Sequence, residues 1–265
     1  MFRLAAWLAG AGVLVSGASM VVTRADRSAE PLKANRVVIA ELFTSEGCSS
    51  CPLADEELSR LLSRQQSSGV DVLALGEHVD YWDGLGWRDR FSSARFSERQ
   101  SEYDARVFKT GSIYTPQLVI DGRLQMVGSD HPAIQRAIDQ AAQARKSTVA
   151  VQARADAHDL RVEIAVAVPE GVAIKDTTEL VVAITENKLA TDVRRGENGG
   201  RILKHDAVVR SLQTVGVMPA QERTWRTGVS IPVGPEWHRE NVRTLAFLQE
   251  RASRRIVGGG WSPIN

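Results

Sequence analysis

Arg36-Val-Val-Ile-Ala-Glu-Leu-Phe-Thr-Ser-Glu-Gly-Cys48-Ser-Ser-Cys51-Pro52 carries a buried-strand pattern, a stop at Gly47 and a Cys-x-x-Cys pair, and the rest of the chain is read outward from it. Leu53, Ala54, Leu58, Leu61 and Leu62 follow at helical spacing, so the second cysteine opens a helix. Cysteines at that place suit redox chemistry. The free N–H groups and positive dipole end of a helix N-terminus favour a thiolate on Cys48, and a lowered pKa makes it a nucleophile near neutral pH. With two residues between them, Cys51 can resolve a mixed disulfide formed at Cys48.

The cysteine count supports reactivity over reinforcement. The chain has 265 residues and only these two cysteines. A bridge between them closes a very short loop and removes little entropy from the unfolded chain. Composition is otherwise that of a globular protein, 43% hydrophobic and 25% charged, with a net charge of +1 that gives no electrostatic case for a nucleic-acid partner. Residues 1–25 have an early Arg3, an apolar run from Leu4 to Val15 and small residues at Ser16 to Ser19. They read as a secretory signal, or as a retained N-terminal membrane anchor, and the expected location is exported, in the periplasm or cell envelope. Residues 26–35 read as a linker.

Taken in order, Arg36–Phe43 is a strand and Cys51–Gln66 a helix, with Pro52 suited to its first turn. Val70–Gly76 is a second strand, apolar enough to be covered on both faces. The loop from Glu77 to Asp89 gathers His78, Tyr81, Trp82 and Trp87, either as a functional edge or as a lid cluster packed over the sheet. Phe91–Lys109 has near-helical spacing. Thr110–Gly128 reads as strand, Asp121-Gly122 turn and strand. A proline directly before a central strand removes a ladder donor, and a cis Thr115–Pro116 bond accounts for it. His131-Pro132 opens a last helix. From Ser147 onward short strands with turn material between them suggest a β-sandwich-like domain. Asn198-Gly-Gly-Arg201, running on to His205, is either a flexible loop feeding a strand or a segment that meets the first domain's active edge. The expected layout is an α/β thioredoxin-like domain (β-α-β-α-β-β-α) at 36–146 followed by an all-β sandwich-like domain at 147–265.

Glu41-Leu-Phe-Thr-Ser-Glu-Gly-Cys-Ser-Ser-Cys-Pro52, His78-Val-Asp-Tyr-Trp-Asp83 with Gly86-Trp87, Tyr114-Thr-Pro-Gln117 with Asp121-Gly122, and Asn198-Gly-Gly-Arg with His205-Asp-Ala-Val-Val209 resemble the DUF1223 family of predicted secreted bacterial proteins. The resemblance runs from about Arg36 to the C-terminus. It implies a thioredoxin-like superfamily domain and an exported protein, and it supplies no reaction. Against thioredoxins themselves, no tryptophan precedes Cys48, Ser49-Ser50 stands between the cysteines, and the buried strand acid is best represented by Glu41, one residue further away. By that resemblance Pro116 would hold a substrate strand beside the sulfurs and keep metal away.

The expected function is thiol–disulfide exchange through a mixed disulfide at Cys48, resolved by Cys51, with Glu41 moving the Cys51 proton and Pro116 in the catalytic set. Tyr114, Thr115, His78 and Trp82 are the candidate substrate-binding residues. Partners would be protein or small-molecule thiols and disulfides, and the chemistry calls for no cofactor. The direction of electron flow and the oligomeric state stay open. Two other classes are a copper or zinc protein using the thiolates with His78, Asp80 or His131, and a noncatalytic adaptor whose disulfide is inert.

Overall fold

The structure is a computed structural model that describes residues 36–64, 69–156 and 158–264. The signal or anchor at 1–25 and the linker at 26–35 lie outside the described residues. The described residues belong to one compact unit, Lys33–Asn265.

The first half follows the expected element order. Strand β1 (Val37–Thr44) is buried along its whole length, α1 (Pro52–Arg64) follows the cysteines, and β2 (Asp71–His78) lies parallel to β1. Helix α2 (Ala94–Tyr103) starts at Ser93, whose hydroxyl accepts from the Arg95 N–H, and runs into a π-helical turn (Asp104–Phe108) that ends at Lys109 with φ 54°. Strand β3 (Gln117–Ile120) is antiparallel to β1, β4 (Leu124–Val127) is antiparallel to β3, and α3 (His131–Ala141) is capped by Asp130.

The sheet does not end there. Beyond β2 comes β10 (Val208–Met218), joined at Val208 opposite Gly76, with the Gly76 N–H donating to the Ala207 carbonyl at 2.8 Å. Next in space are β7 (Thr178–Glu186), β12 (Val242–Glu250), β13 (Ile256–Pro263), β5 (Ser147–Ala155), β6 (Asp159–Ala167) and β11 (Thr224–Pro232), giving one mixed sheet of eleven strands. A separate hairpin pairs β8 (Leu189–Val193) with β9 (Arg201–His205).

The expected α/β thioredoxin-like domain followed by a β-sandwich-like domain is therefore corrected. The molecule is mainly β, with three α-helices among the described residues, and its sheet is continuous from β4 to β11. The reason lies in what covers β1 and β2. Val38, Ala40 and Leu42 face α1 and α3, packing with Ala54, Leu58 and Ile134. Val37, Ile39 and Phe43 face the other way and meet Phe96 and Tyr103 of α2 together with Val181, Val209, Leu245 and Phe247 from β7, β10 and β12. An apolar strand reads the same whether a helix or another part of its own sheet covers it. The alternate residues of β7 and β12, including Val182, Ile184, Ala246 and Leu248, form a third core with β5, β6 and β11.

Glycines in β13 permit a close approach. A Cβ on Gly260 would lie 1.8 Å from the Val149 carbonyl oxygen, and one on Gly258 2.6 Å from that of Ser147, so β5 can reach β13 only where side chains are absent.

Candidate functional site

Cys48 and Cys51 form a disulfide at the head of α1, with Cα atoms 5.4 Å apart. A tight turn places them: Cys48 N–H donates to the Ser45 carbonyl and Cys51 N–H to the Cys48 carbonyl, each at 3.2 Å. The Cys51 carbonyl then accepts from the N–H groups of Ala54 and Asp55, starting the helix. The Cys48 sulfur lies 3.3 Å from Ser50 Oγ. Ser49 and Ser50 are exposed, whereas the cysteines keep 1% and 0% of their surface.

The cover comes from far along the chain. Asn198, wholly buried, donates through Nδ2 to the carbonyls of Glu46 and Cys48, both at 2.9 Å. The neighbouring Glu197 carboxylate accepts from the Ser49 N–H at 3.0 Å, and that bond with the Ser49 side chain holds its carboxyl below the usual range. The loop leading into β9 thus sits on the cysteine turn.

A second wall comes from Thr115–Pro116, whose peptide bond is cis. Pro116 is buried, and Gly128 lies between it and α1: a Cβ there would be 2.9 Å from Ala54 Cβ and 3.4 Å from Pro116 Cβ. Trp82 joins this wall to the cysteine turn. Its Nε1 donates to Thr115 Oγ1 at 2.8 Å, while its Cβ is 3.2 Å from where a Gly47 Cβ would stand. Tyr114 is half-buried and enters through its carbonyl, which accepts from Gln100 Nε2 at 2.7 Å.

Beneath the turn is a buried charged cluster. Glu46 accepts from Trp87 Nε1 at 2.8 Å and lies 3.4 Å from His205 Nε2, whose Nδ1 is 3.5 Å from the Asp55 carboxylate. Burial works against a charge on His205, yet the Asp55 and Glu46 carboxylates within 3.5 Å of its ring nitrogens raise its pKa to about 10. The His78 ring, 5.0 Å from that of His205, pairs through Nδ1 with Asp89 at 2.6 Å. Burial would raise the Asp89 pKa, but His78 and the N–H groups of Glu46 and Phe91 hold it below its ordinary value.

Glu41 stands elsewhere. It projects from the face of β1 opposite the one that packs on α1, so the structure does not bring it to Cys51. Its carboxylate binds Arg99 Nε at 2.6 Å and the Tyr103 hydroxyl. Burial opposes ionisation of Glu41, and Arg99 outweighs it, leaving the carboxyl below its normal range. Glu77, 3.6 Å from Arg99, is pushed well above that range by burial and by Glu41 beside it.

The structure thus gathers Trp82, Thr115 and Pro116 around the cysteine turn, sets His78 beneath it in the charged cluster, and leaves Glu41 apart. It adds Glu46, Asp55, Asp89, Asn198 and His205. Of these, Asn198 and His205 stood out in sequence because the loop combined glycines with a histidine; single acids near a cysteine motif gave no signal. His131 pairs with Glu57 at 2.8 Å and Asp80 accepts from Ser97 at 2.5 Å. Among the described residues no three His, Cys, Asp or Glu side chains converge as a metal-ligand set.

A family model described as a protein of unknown function, DUF1223, matches residues 39–249. The crystal structure of AGR_C_4864 from Agrobacterium tumefaciens is 29% identical and has a TM-score of 0.65, covering 86% of this chain and 94% of that one. HBP35 of Porphyromonas gingivalis, 14% identical, has a TM-score of 0.65 over 87% of this chain and 76% of that one, a likeness of fold alone. No curated protein matches the chain.

Proposed function

The chain belongs to the DUF1223 family, whose function is unknown, and from that premise we propose that it is an exported thiol–disulfide oxidoreductase acting on protein or small-molecule thiols. The observation that carries this reading is the Cys48–Cys51 disulfide at the head of a helix, beside Pro116 and Trp82. A substrate thiolate attacks Cys48, a mixed disulfide forms, and Cys51 leaves as a thiolate that takes up a proton. A second substrate thiolate then attacks the substrate sulfur of the mixed disulfide and displaces Cys48. Two substrate thiols become one disulfide, the protein becomes a dithiol, and two electrons move; the reverse reaction retraces the same steps. Asp55 lies one helical turn after Cys51, so the Asp55–His205 pair, and not Glu41, is the group suited to favour Cys51 as a leaving thiolate. Leader-like residues 1–25 and a disulfide in a chain with two cysteines support an oxidising, exported location.

The near-complete burial of both cysteines favours a second reading, a noncatalytic adaptor with an inert bridge. One experiment separates them. In the oxidoreductase reading the Cys48 thiolate of Cys51→Ala attacks a partner's disulfide, displaces one of its sulfurs as a thiolate and stays bound as a mixed disulfide, and Cys48→Ser/Cys51→Ala captures none. Failure of Cys51→Ala to form mixed disulfides, with a folded protein and a wild-type disulfide that glutathione cannot reduce, supports the adaptor.

A further inference from the structure

Strand β10 has one edge in use and one edge largely open. It pairs with β7 along its length, but it meets β2 only at Val208. Register shifts fall between Val209 and Ser211 and between Thr214 and Gly216, leaving Ser211–Thr214 as a regular run with no strand on its other side among the described residues. Two clefts of about 440 and about 430 Å³ are lined by β10 and α2, the first also by Glu179 and Val181 of β7 and by Arg251 and Arg254, and they share Arg95 and Leu212. Together they are lined by Val209–Thr214, of which Val209 and Leu212 are buried, Arg210, Ser211 and Gln213 half-buried and Thr214 exposed, about 20 Å of strand at the usual rise per residue.

The lining is mixed but rich in arginine: seven arginines and four glutamates line the clefts, with Arg99 already paired with Glu41 and Arg210 with Glu186, and no aspartate or lysine lines either cleft. Arg95 attracts the Glu77 carboxylate without an ion pair at 4 Å or less, and Arg106 donates to the Arg251 carbonyl at 3.3 Å. Arg254 is 6% exposed, holds φ at 57°, and its Nε has no hydrogen-bond partner. Its terminal nitrogens lie 3.4 Å from Glu102 and Glu179, and the unpartnered buried Nε–H carries a cost that an acceptor on a ligand would offset.

We propose that this groove binds an extended acidic segment of a partner protein, which adds as a strand to the open edge of β10 while its carboxylates meet the arginines of α2 and of the β12–β13 turn. Main-chain hydrogen bonds to a sheet edge supply affinity, and alternating side-chain sites supply selection. This docking does not depend on the cysteines reacting.

The test is fluorescence anisotropy with the full chain and a fluorescein-labelled ten-residue peptide of alternating Glu and Thr. Saturable binding is expected, weakened at least about tenfold by Arg95→Glu/Arg106→Glu, by replacing each Glu of the peptide with Gln, or by methylating alternate peptide N–H groups, since loss of one ion pair or ladder contact is worth about that factor. Both arginines are exposed, and circular dichroism checks that the variant folds. No saturable binding overturns the proposal. So does equal binding of the Gln peptide, or indifference to N-methylation, which would mark a diffuse basic surface. Competition by inorganic phosphate at the peptide's own affinity would mark a small-oxyanion site and overturn it too.

Discussion

Asn198 hydrogen-bonds the carbonyl oxygen of Cys48 at 2.9 Å across 150 residues of sequence. The same amide nitrogen also reaches the Glu46 carbonyl, so one side chain fixes both sides of the turn that carries the disulfide.

Asn198→Ala takes the side-chain donor from the Glu46 carbonyl and leaves the Cys48 carbonyl with only the Cys51 N–H, and stability should fall by roughly 1 to 3 kcal/mol. Reduction of the disulfide by dithiothreitol should also become faster, since the loop carrying Glu197 is no longer held down. Urea unfolding and a thiol-release time course check the two effects. An unchanged reduction rate in a destabilised variant would mean that this loop does not limit access.

Arg99 neutralises the buried carboxylate of Glu41 and lies beside Glu77. Arg99→Met should cost about 3 to 5 kcal/mol, because it strands a buried charge, and the added change Glu41→Gln should restore part of that loss. Glu77 holds its proton far above the usual range, so Glu77→Gln at neutral pH should change stability by less than about 1 kcal/mol. Equal losses for all three variants would contradict this division of roles.

The raised pKa of His205 gives a signed pH dependence. The imidazolium keeps its proton to about pH 10 when folded, against 6.5 ordinarily. Its stabilisation is fully present below 6.5 and is lost as pH rises through about 10. His205→Gln should therefore be less stable than the wild type near pH 6, by on the order of a few kcal/mol, with the gap closing toward pH 10. A gap that stays constant across that range would remove the charged imidazole from the account.

Gly122 has φ 67°, and a Cβ there would meet the Arg254 carbonyl oxygen at 2.0 Å. Gly122→Ala should disrupt the contact between the β3–β4 turn and the β12–β13 turn and lower the melting temperature sharply. Gly84, with nothing within 4 Å of the corresponding position, is the control and should tolerate alanine.

Local periodicity made most elements legible. The apolar run of β1, the helix after the cysteines and the Asp121-Gly122 turn stand within a residue or two of where their patterns put them. Errors arose where a local pattern has more than one three-dimensional answer. Nothing in the short-strand pattern after Ser147 marks Ala207, which adopts φ 54° and divides β9 from β10. Gly258–Gly260 resembles a strand end, yet a neighbouring strand needs those bare positions. The Leu189–Val193 strand is short and half polar, and gives no alternation long enough to count. In the site, Cys48, Cys51, Thr115 and Pro116 were visible because spacing and turn chemistry are local. Glu46, Asp55 and Asp89 were not, because a lone acid acquires its role only from the histidines that other strands bring to it.

The meeting of Gly76 with Ala207 and Val208 limits how the molecule can be taken apart. Ending the polypeptide after residue 146 would strip β10 from the flank of β2 and remove Val181, Val209, Leu245 and Phe247 from over Val37, Ile39 and Phe43, leaving only α2 as their cover. Truncation would give an aggregating fragment in place of a minimal redox module. Questions about the cysteine pair are therefore questions for single substitutions in the intact chain.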